Sequence, residues 1–486
     1  MPIPLHKNYI NGKWTPSSSG KTFESLNPAT EQPIGKFQLS TAEDINDAVE
    51  AAEKAFNSWS STPAPKRARI ILKAAELLRR EKQRLGKLVT TEMGKVLPEA
   101  LGDVQEAIDM AEYAAGEGRR LFGRTTPSEL QDKFCMSVRM PLGVVGLITP
   151  WNFPIAIPSW KILPALVCGN TVVFKPASDT PLCAIEFVKI LEKAGVPKGV
   201  LNLITGSGSE VGGAIVKHKS VRAISFTGHR DTGEWIMKNA GLKKVGLELG
   251  GKNGIIVMPD ADMQLAVDGI IWGGFGTAGQ RCTAASRVIV NEKINPVLER
   301  KLKAGAESLR LGSGLLKTTD VGPLINKNAA EKTHKYTEIG IEEGAKLLTG
   351  GDKPKGKGFF YKPTIFTSVT PDMRIAQEEI FGPVVSLIQV SSIDEAIDVV
   401  NSIEYGLSSA IYTNDIRNAF LAIQKIETGI TYINASTIGA EVHLPFGGVK
   451  ATGGHKEAGW AAIEEFSDEK AVYIDYSGRL QKAQID

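Results

Sequence analysis

Apolar positions early in the chain recur every three or four residues. Ile45, Ala48, Val49, Ala52 and Phe56 share one face behind Thr41, a capping residue type with Asp44 in the first turn, and predict a helix over 41–57. Two more helices are predicted over 67–84 and 95–119. The pattern then changes. Short β-rich runs at Val144–Ile148, Thr171–Phe174, Val200–Ile204, Ala223–Phe226 and Val245–Leu249 alternate with helical stretches near 182–194, 209–217 and 231–240. Such alternation predicts a parallel sheet in an α/β fold. A second series follows the Gly250-Gly251 pair, with runs at Gly254–Met258, Val288–Val290, Val384–Val390, Ser409–Thr413 and Ile430–Ile433, and predicts a second α/β domain. The Gly/Lys/Pro stretch 349–363 reads as a surface loop.

Composition narrows the class. A chain of 486 residues is too long for one hydrophobic core and predicts two to three domains. With 42% hydrophobic and 23% charged residues it is an ordinary globular protein, not a disordered, collagen-like or coiled-coil one. The 57 basic and 54 acidic residues leave a net charge of +3, which is no nucleic-acid footprint. The most apolar stretch, 143–169, carries Lys161 and is broken by Pro150, Pro154, Pro158 and Pro164, so no membrane partner is expected. The N-terminus lacks the apolar core of a signal peptide. Cys135, Cys168, Cys183 and Cys282 form no disulfide framework and have no zinc spacing, and no H-E-x-x-H occurs. No metal is expected, and the compartment is expected to be reducing and cytoplasmic.

Several segments could carry chemistry. Asn152 lies among prolines in Pro150-Trp151-Asn152-Phe153-Pro154 after a strand, where its amide could donate to an oxyanion or simply satisfy its own turn. Lys175, ending an apolar strand, could reach ribose hydroxyls or a phosphate, or be a solvated strand end. Two Gly-rich turns, Thr205–Gly212 and Gly228–Gly233, each follow a strand and precede a helix, a setting that suits phosphate as well as an ordinary turn. Glu248, between Leu247 and Leu249, is a general-base candidate if desolvated and otherwise an exposed strand residue. Cys282 alone of the four cysteines sits in a polar, Gly-flanked segment beside a cation, Arg281, which would lower its pKa. Gln377–Pro383 and Leu444–Lys450 each place an aromatic residue and glycines in a loop.

In chain order these segments read INGKW, PWNFP, FKPAS, TGxG, FTG, LELGG, GQRC, EEIFGP and PFGG, and together they resemble the aldehyde dehydrogenase superfamily over nearly the whole chain. The resemblance implies an α/β fold with a Rossmann-like cofactor domain (1–119 and 142–249), a catalytic domain (250–446) and a bridging β-arm (120–141 and 466–486) that pairs with a neighbouring subunit in a dimer or tetramer. It implies that Cys282 is the nucleophile, that Asn152 and the Cys282 N–H hold the oxyanion, and that Glu248 activates the water that hydrolyses the thioester. Lys175 and Glu379 match ribose-binding positions and Phe381 packs beside Glu379. Trp151, Ser178, Gly208, Gly228, His229, Gly233 and Leu249 complete the expected NAD or NADP contacts. Trp160 and Phe446 match the substrate tunnel.

Two departures from the family pattern stand out. Ser178 replaces the Glu of NAD-preferring members, leaving room and a hydrogen-bond donor for a 2′-phosphate, so NADP⁺ is expected to be accepted. His229 replaces a Ser that normally touches the pyrophosphate; with Arg230 it could supply compensating charge. Arg281 could pair with a distal carboxylate of the substrate or be bridged within its own loop. The chain is similar in texture to the α-ketoglutaric and succinic semialdehyde dehydrogenases, and its tail to the aminoadipic semialdehyde group. A carboxylate-bearing semialdehyde is therefore expected, with a broad aliphatic or aromatic aldehyde as the alternative. Glu248 argues against a CoA-acylating relative, and Asn152, Glu248 and Cys282 together argue against an inactive structural one.

Overall fold

The computed structural model describes residues 3–485. The first helix is Ala42–Ser61, where the Thr41 N–H donates to the Asp44 carboxylate at 2.9 Å; it runs past 57 because Trp59 is buried against the core. The second helix, Ala64–Met93, is longer at both ends than the sequence pattern indicates. Gly86 does not break it. Its missing side chain admits Leu101 of the next helix, Leu97–Glu117, since a Cβ there would meet Leu101 Cδ2 at 2.6 Å.

Two seven-stranded sheets dominate. In the first, five parallel strands lie side by side in the order Lys244–Glu248, Val221–Thr227, Val144–Ile148, Thr171–Lys175 and Leu201–Leu203. Asn8–Ile10 and Lys13–Thr15, which the sequence pattern did not mark, extend it antiparallel. The Val144–Ile148 and Thr171–Lys175 strands are buried throughout, which explains their continuous apolar runs in place of alternation. The second sheet runs Lys346–Thr349, Thr364–Thr367, Val384–Val390, Ala285–Asn291, Asn253–Val257, Ser408–Tyr412 and Ile430–Ile433, parallel except for its first strand. The chain passes from one sheet to the other between Glu248 and Asn253. The 350–363 loop is partly exposed, and Tyr361 and Pro363 within it are buried, the Tyr361 hydroxyl 2.8 Å from that of Thr337.

A separate three-stranded sheet pairs Ser467–Asp475 with Lys133–Pro141, from Ser467 opposite Pro141 to Asp475 opposite Lys133, and adds Thr125–Thr126. Phe134, Met140, Tyr473 and Ile474 on it are exposed. Among the described residues no helix is long and apolar enough to cross a membrane.

Candidate active site

Parallel strands put their C-terminal ends on one edge, and open α/β sheets bind ligands at such an edge. Here Ile148 is opposite Lys175 and Thr227 is opposite Glu248. The loops bearing Asn152, Ser178, Gly208, Gly228 and Leu249 therefore leave from one side of the first sheet. The second sheet meets that side with its opposite edge, since Cys282 precedes Ala285–Asn291 and Glu379 precedes Val384–Val390. Hydrogen bonds join the two. Asn152 Nδ2 donates to the Gln280 carbonyl at 3.1 Å, and the Gly251 N–H donates to Glu379 Oε1 at 2.9 Å.

Cys282 follows a strained turn in which Thr277, Ala278 and Gly279 have φ of 53°, 54° and 70°. Two long-range contacts hold that turn. Glu99 accepts from the Thr277 N–H at 2.9 Å and its hydroxyl at 3.1 Å, and the Gln280 amide bridges the carbonyls of Thr277 and Pro323 and the Ile325 N–H. Asn253 Nδ2 then ties the Cys282 carbonyl at 2.7 Å. The thiol itself is not activated as its neighbour in sequence implies. Burial, followed by the negative charges of Glu248 and Glu379, pushes it up to about 12, against a weaker opposing effect of the Thr283 and Cys282 N–H groups. The reason is geometric. Arg281 turns away from the thiol, its Nη2 3.3 Å from Glu99 Oε1 and its Nε 2.9 Å from Thr277 Oγ1. Cys135, Cys168 and Cys183 are free and buried.

Glu248 is buried with neither carboxylate oxygen hydrogen-bonded. Burial first, then the nearby Glu457, raises its pKa well above the ordinary carboxylate range. Gly447 explains the glycines after Phe446: a Cβ there would lie 2.3 Å from Glu248 Oε1. The pair after Glu248 is explained likewise, because a Cβ on Gly250 would meet Glu379 Oε2, and one on Gly251 the Cys282 carbonyl, each at 2.5 Å.

The residues present fit a dinucleotide. Lys175 is buried rather than solvated, its Nζ hydrogen-bonds only the Pro176 carbonyl among the described residues, at 2.9 Å, and burial lowers its pKa to about 8. It is a desolvated donor with spare hydrogens. Gly208 begins the helical segment after Leu201–Leu203 and has open space where a side chain would be. The Gly228 N–H is used on the Glu248 carbonyl at 3.0 Å, and Gly233 lies inside helix Arg230–Asn239 against Leu249. Trp151 and Phe381 meet edge to face at 5.5 Å, and burial raises the Glu379 pKa. Three expectations change here. The Ser178 hydroxyl already donates to the Gly206 carbonyl at 3.0 Å, so it offers room but not its proton to a 2′-phosphate. His229 is exposed and caps its helix by accepting from the Asp231 N–H at 3.3 Å. Arg230 is bound to Glu234 and Glu404 and is no free cation.

Cys282 and Glu248 open into one cavity of about 650 Å³. Trp160 and Phe446, edge to face at 5.0 Å, and Phe153 form its apolar walls. Lys95 Nζ stacks 3.6 Å over the Phe153 ring and pairs with Asp103 at 3.1 Å. Arg281 lines the cavity but is bridged to Glu99, the within-protein pairing rather than a free carboxylate receiver. Sequence reasoning missed Glu99, Asp103, Glu106 and Asp109. Their spacing of three and four residues along helix Leu97–Glu117 marks an acidic stripe, which was the available signal.

The model of the aldehyde dehydrogenase family matches residues 14–472. The chain is 43% identical over 475 residues to an alpha-ketoglutaric semialdehyde dehydrogenase of Bacillus subtilis, covering 96% of this chain and 97% of that one. It is 42% identical over 468 residues to a 2,5-dioxopentanoate dehydrogenase of Saccharolobus solfataricus, covering 95% and 98%. Among solved structures, a betaine aldehyde dehydrogenase from Staphylococcus aureus in complex with NAD+ superposes with a TM-score of 0.96 at 36% identity, covering 98% of this chain and 95% of that one.

Proposed function

The chain belongs to the aldehyde dehydrogenase family, and from that premise we propose that Cys282, Glu248 and Asn152 carry its NAD(P)-dependent oxidation of a semialdehyde with a distal carboxylate to the corresponding diacid. The carrying observation is the shared cavity, in which a thiol and an unpartnered buried carboxyl face the same space. The Cys282 thiol gives up its proton to solvent, its sulfur adds to the aldehyde carbon, and the resulting oxyanion is held by the Asn152 amide and the Cys282 N–H. A dinucleotide held by Lys175 and Glu379 would supply the acceptor for the hydride that leaves this carbon. Cys282 is left as a thioester, and Glu248 takes a proton from water as that water attacks the acyl carbon, releasing the acid and the thiol. The net change is aldehyde, NAD(P)⁺ and water to carboxylic acid, NAD(P)H and a proton.

Lys175 and Glu379 would hold the ribose groups, with Trp151, Gly208, Gly228, His229, Gly233, Leu249 and Phe381 around the dinucleotide. The uncharged Ser178, with its hydroxyl held on the Gly206 carbonyl, supports acceptance of NADP⁺ alongside NAD⁺. The two relatives named above support the substrate class, and both names denote the same five-carbon semialdehyde. The first sheet with its flanking helices (1–119 and 142–249) would serve as cofactor domain and 250–446 as catalytic domain. The exposed apolar residues of the ribbon formed by 120–141 and 466–486 support pairing with a second copy, and thus a homo-oligomer. Four free thiols support a reducing, cytoplasmic setting.

The test is initial rates of NAD(P)H formation with 2,5-dioxopentanoate, succinic semialdehyde and pentanal, each with NAD⁺ and NADP⁺. The reading expects kcat/KM for the carboxylate-bearing aldehydes to exceed that for pentanal by at least about tenfold. Equal or reversed preference overturns the substrate class, and turnover with NAD⁺ alone overturns the cofactor reading.

A further inference from the structure

A substrate that ends in a carboxylate brings a negative charge into the cavity, and that charge needs a partner there. The cations are already committed. Arg281 is bridged to Glu99 and Thr277, and Lys95 to Asp103. Of the acids on helix Leu97–Glu117 that line the cavity, Glu99 and Asp103 take part in these bridges, and Asp109 accepts from Gln105 at 2.7 Å. Among the described residues Glu106 alone in that stripe has no hydrogen bond or ion pair, and its half-buried side chain lines the same cavity as Cys282.

Resting on the semialdehyde reading above, we propose that Glu106 in its neutral acid form donates its O–H to the distal carboxylate of the substrate and is the residue that selects for carboxylate-bearing aldehydes. A protonated carboxyl is a donor, and an O–H···O⁻ bond to an ionised acceptor is short and strong. The surroundings keep Glu106 neutral. Burial first, then Asp103 and Asp109, push it up to about 8 against the opposing charges of Lys95 and Arg281. Tyr432, from the facing strand Ile430–Ile433, is held up to about 12 and stays neutral, while Glu441 and His443 face the cavity from the 439–443 segment. The sign follows from the raised value. The donor is present below about pH 8 and is lost as pH rises through it.

The experiment compares 2,5-dioxopentanoate with pentanal, a neutral aldehyde of equal carbon count, across about pH 6.5 to pH 9.5, in wild type, Glu106→Gln and Glu106→Leu. Taking the KM ratio of the two substrates removes the titration of Cys282 and Glu248, which both share. In wild type the KM for 2,5-dioxopentanoate rises relative to that for pentanal by roughly tenfold above pH 8. Glu106→Gln keeps a neutral donor, so it retains the selectivity at pH 7 and flattens the pH dependence, which a titrating Lys95 would not do. Glu106→Leu loses roughly tenfold or more in KM for 2,5-dioxopentanoate and leaves pentanal within about twofold. A carboxylate preference that is pH-independent in wild type, or that survives in Glu106→Leu, overturns the role of Glu106 alone. Absence of any carboxylate preference in wild type overturns the substrate reading and the inference with it.

Discussion

Replacing Gly447 by alanine tests whether the position of Glu248 is what limits turnover. The new Cβ would sit 2.3 Å from Glu248 Oε1 and 2.5 Å from the His455 carbonyl, at a backbone φ of 145° that disfavours any side chain. Ordinary contact requires each neighbour to retreat by about 1 Å. His455 is anchored through backbone, so the carboxyl yields. Overpacking of this kind costs about 1–3 kcal/mol of stability, and an ångström of misplacement at a reacting group costs about 10²-fold in rate. Because the role proposed for Glu248 is in hydrolysis of the thioester and not in its formation, the loss should fall on one phase. Rapid mixing with aldehyde and NAD(P)⁺ should show a first-turnover burst of NAD(P)H close to the site concentration, followed by a steady rate about a hundredfold below wild type. A thermal melt confirms that the protein is folded. Steady-state turnover at the wild-type rate would refute the placement of Glu248, and equal loss of burst and steady rate would show that it acts before the thioester.

Three further outcomes follow from the site. Glu99→Ala removes the acceptor for Thr277 and the partner of Arg281, both largely shielded, so it should cost about 1.5–3 kcal/mol by denaturant melting and lower kcat by loosening the turn before Cys282. Since Glu248 and Cys282 both have raised pKa values, their ionised forms appear only as pH climbs. The kcat should therefore rise as pH climbs above neutrality, and a profile that falls as pH climbs contradicts the assignment. Lys175→Met should raise KM for NAD⁺ and NADP⁺ by roughly tenfold with little change in KM for the aldehyde, as measured by varying each at saturation of the other.

Much of this architecture is readable in the sequence because it is local. Val144–Ile148, Val384–Val390 and Ile430–Ile433 form strands at the residues their apolar runs mark, and a strand end fixes where the following loop must emerge. That is why Asn152, Lys175 and Glu248 reach one edge. What the sequence concealed depends on partners far along the chain. Arg281 looks like an activating cation beside Cys282, but it pairs with Glu99, 182 positions away, and burial with the charges of Glu248 and Glu379 then raises the thiol unopposed by it. Lys175 looks solvated because nothing local shows that Lys175 is covered, and its burial leaves it with a single carbonyl. The helix Ala64–Met93 runs through Gly86 because Leu101 fills the space, a tertiary fact that local propensity counts as a break. The acidic stripe ending in Glu106 and Asp109 was visible at helical spacing, but only the cavity shows that it faces inward.

The proposed turnover depends on a transient bond between the Cys282 sulfur and an acyl carbon. The most direct measurement uses Glu248→Gln, in which hydrolysis is slowed by about 10²–10⁴-fold, given 2,5-dioxopentanoate and NAD(P)⁺, quenched in acid, digested and analysed by mass spectrometry. The acyl mass should appear on the peptide containing Cys282, only when both substrates are present, and on none of those containing Cys135, Cys168 or Cys183. An acyl group on another residue, or a full turnover of NAD(P)H with no adduct on Cys282, would contradict it.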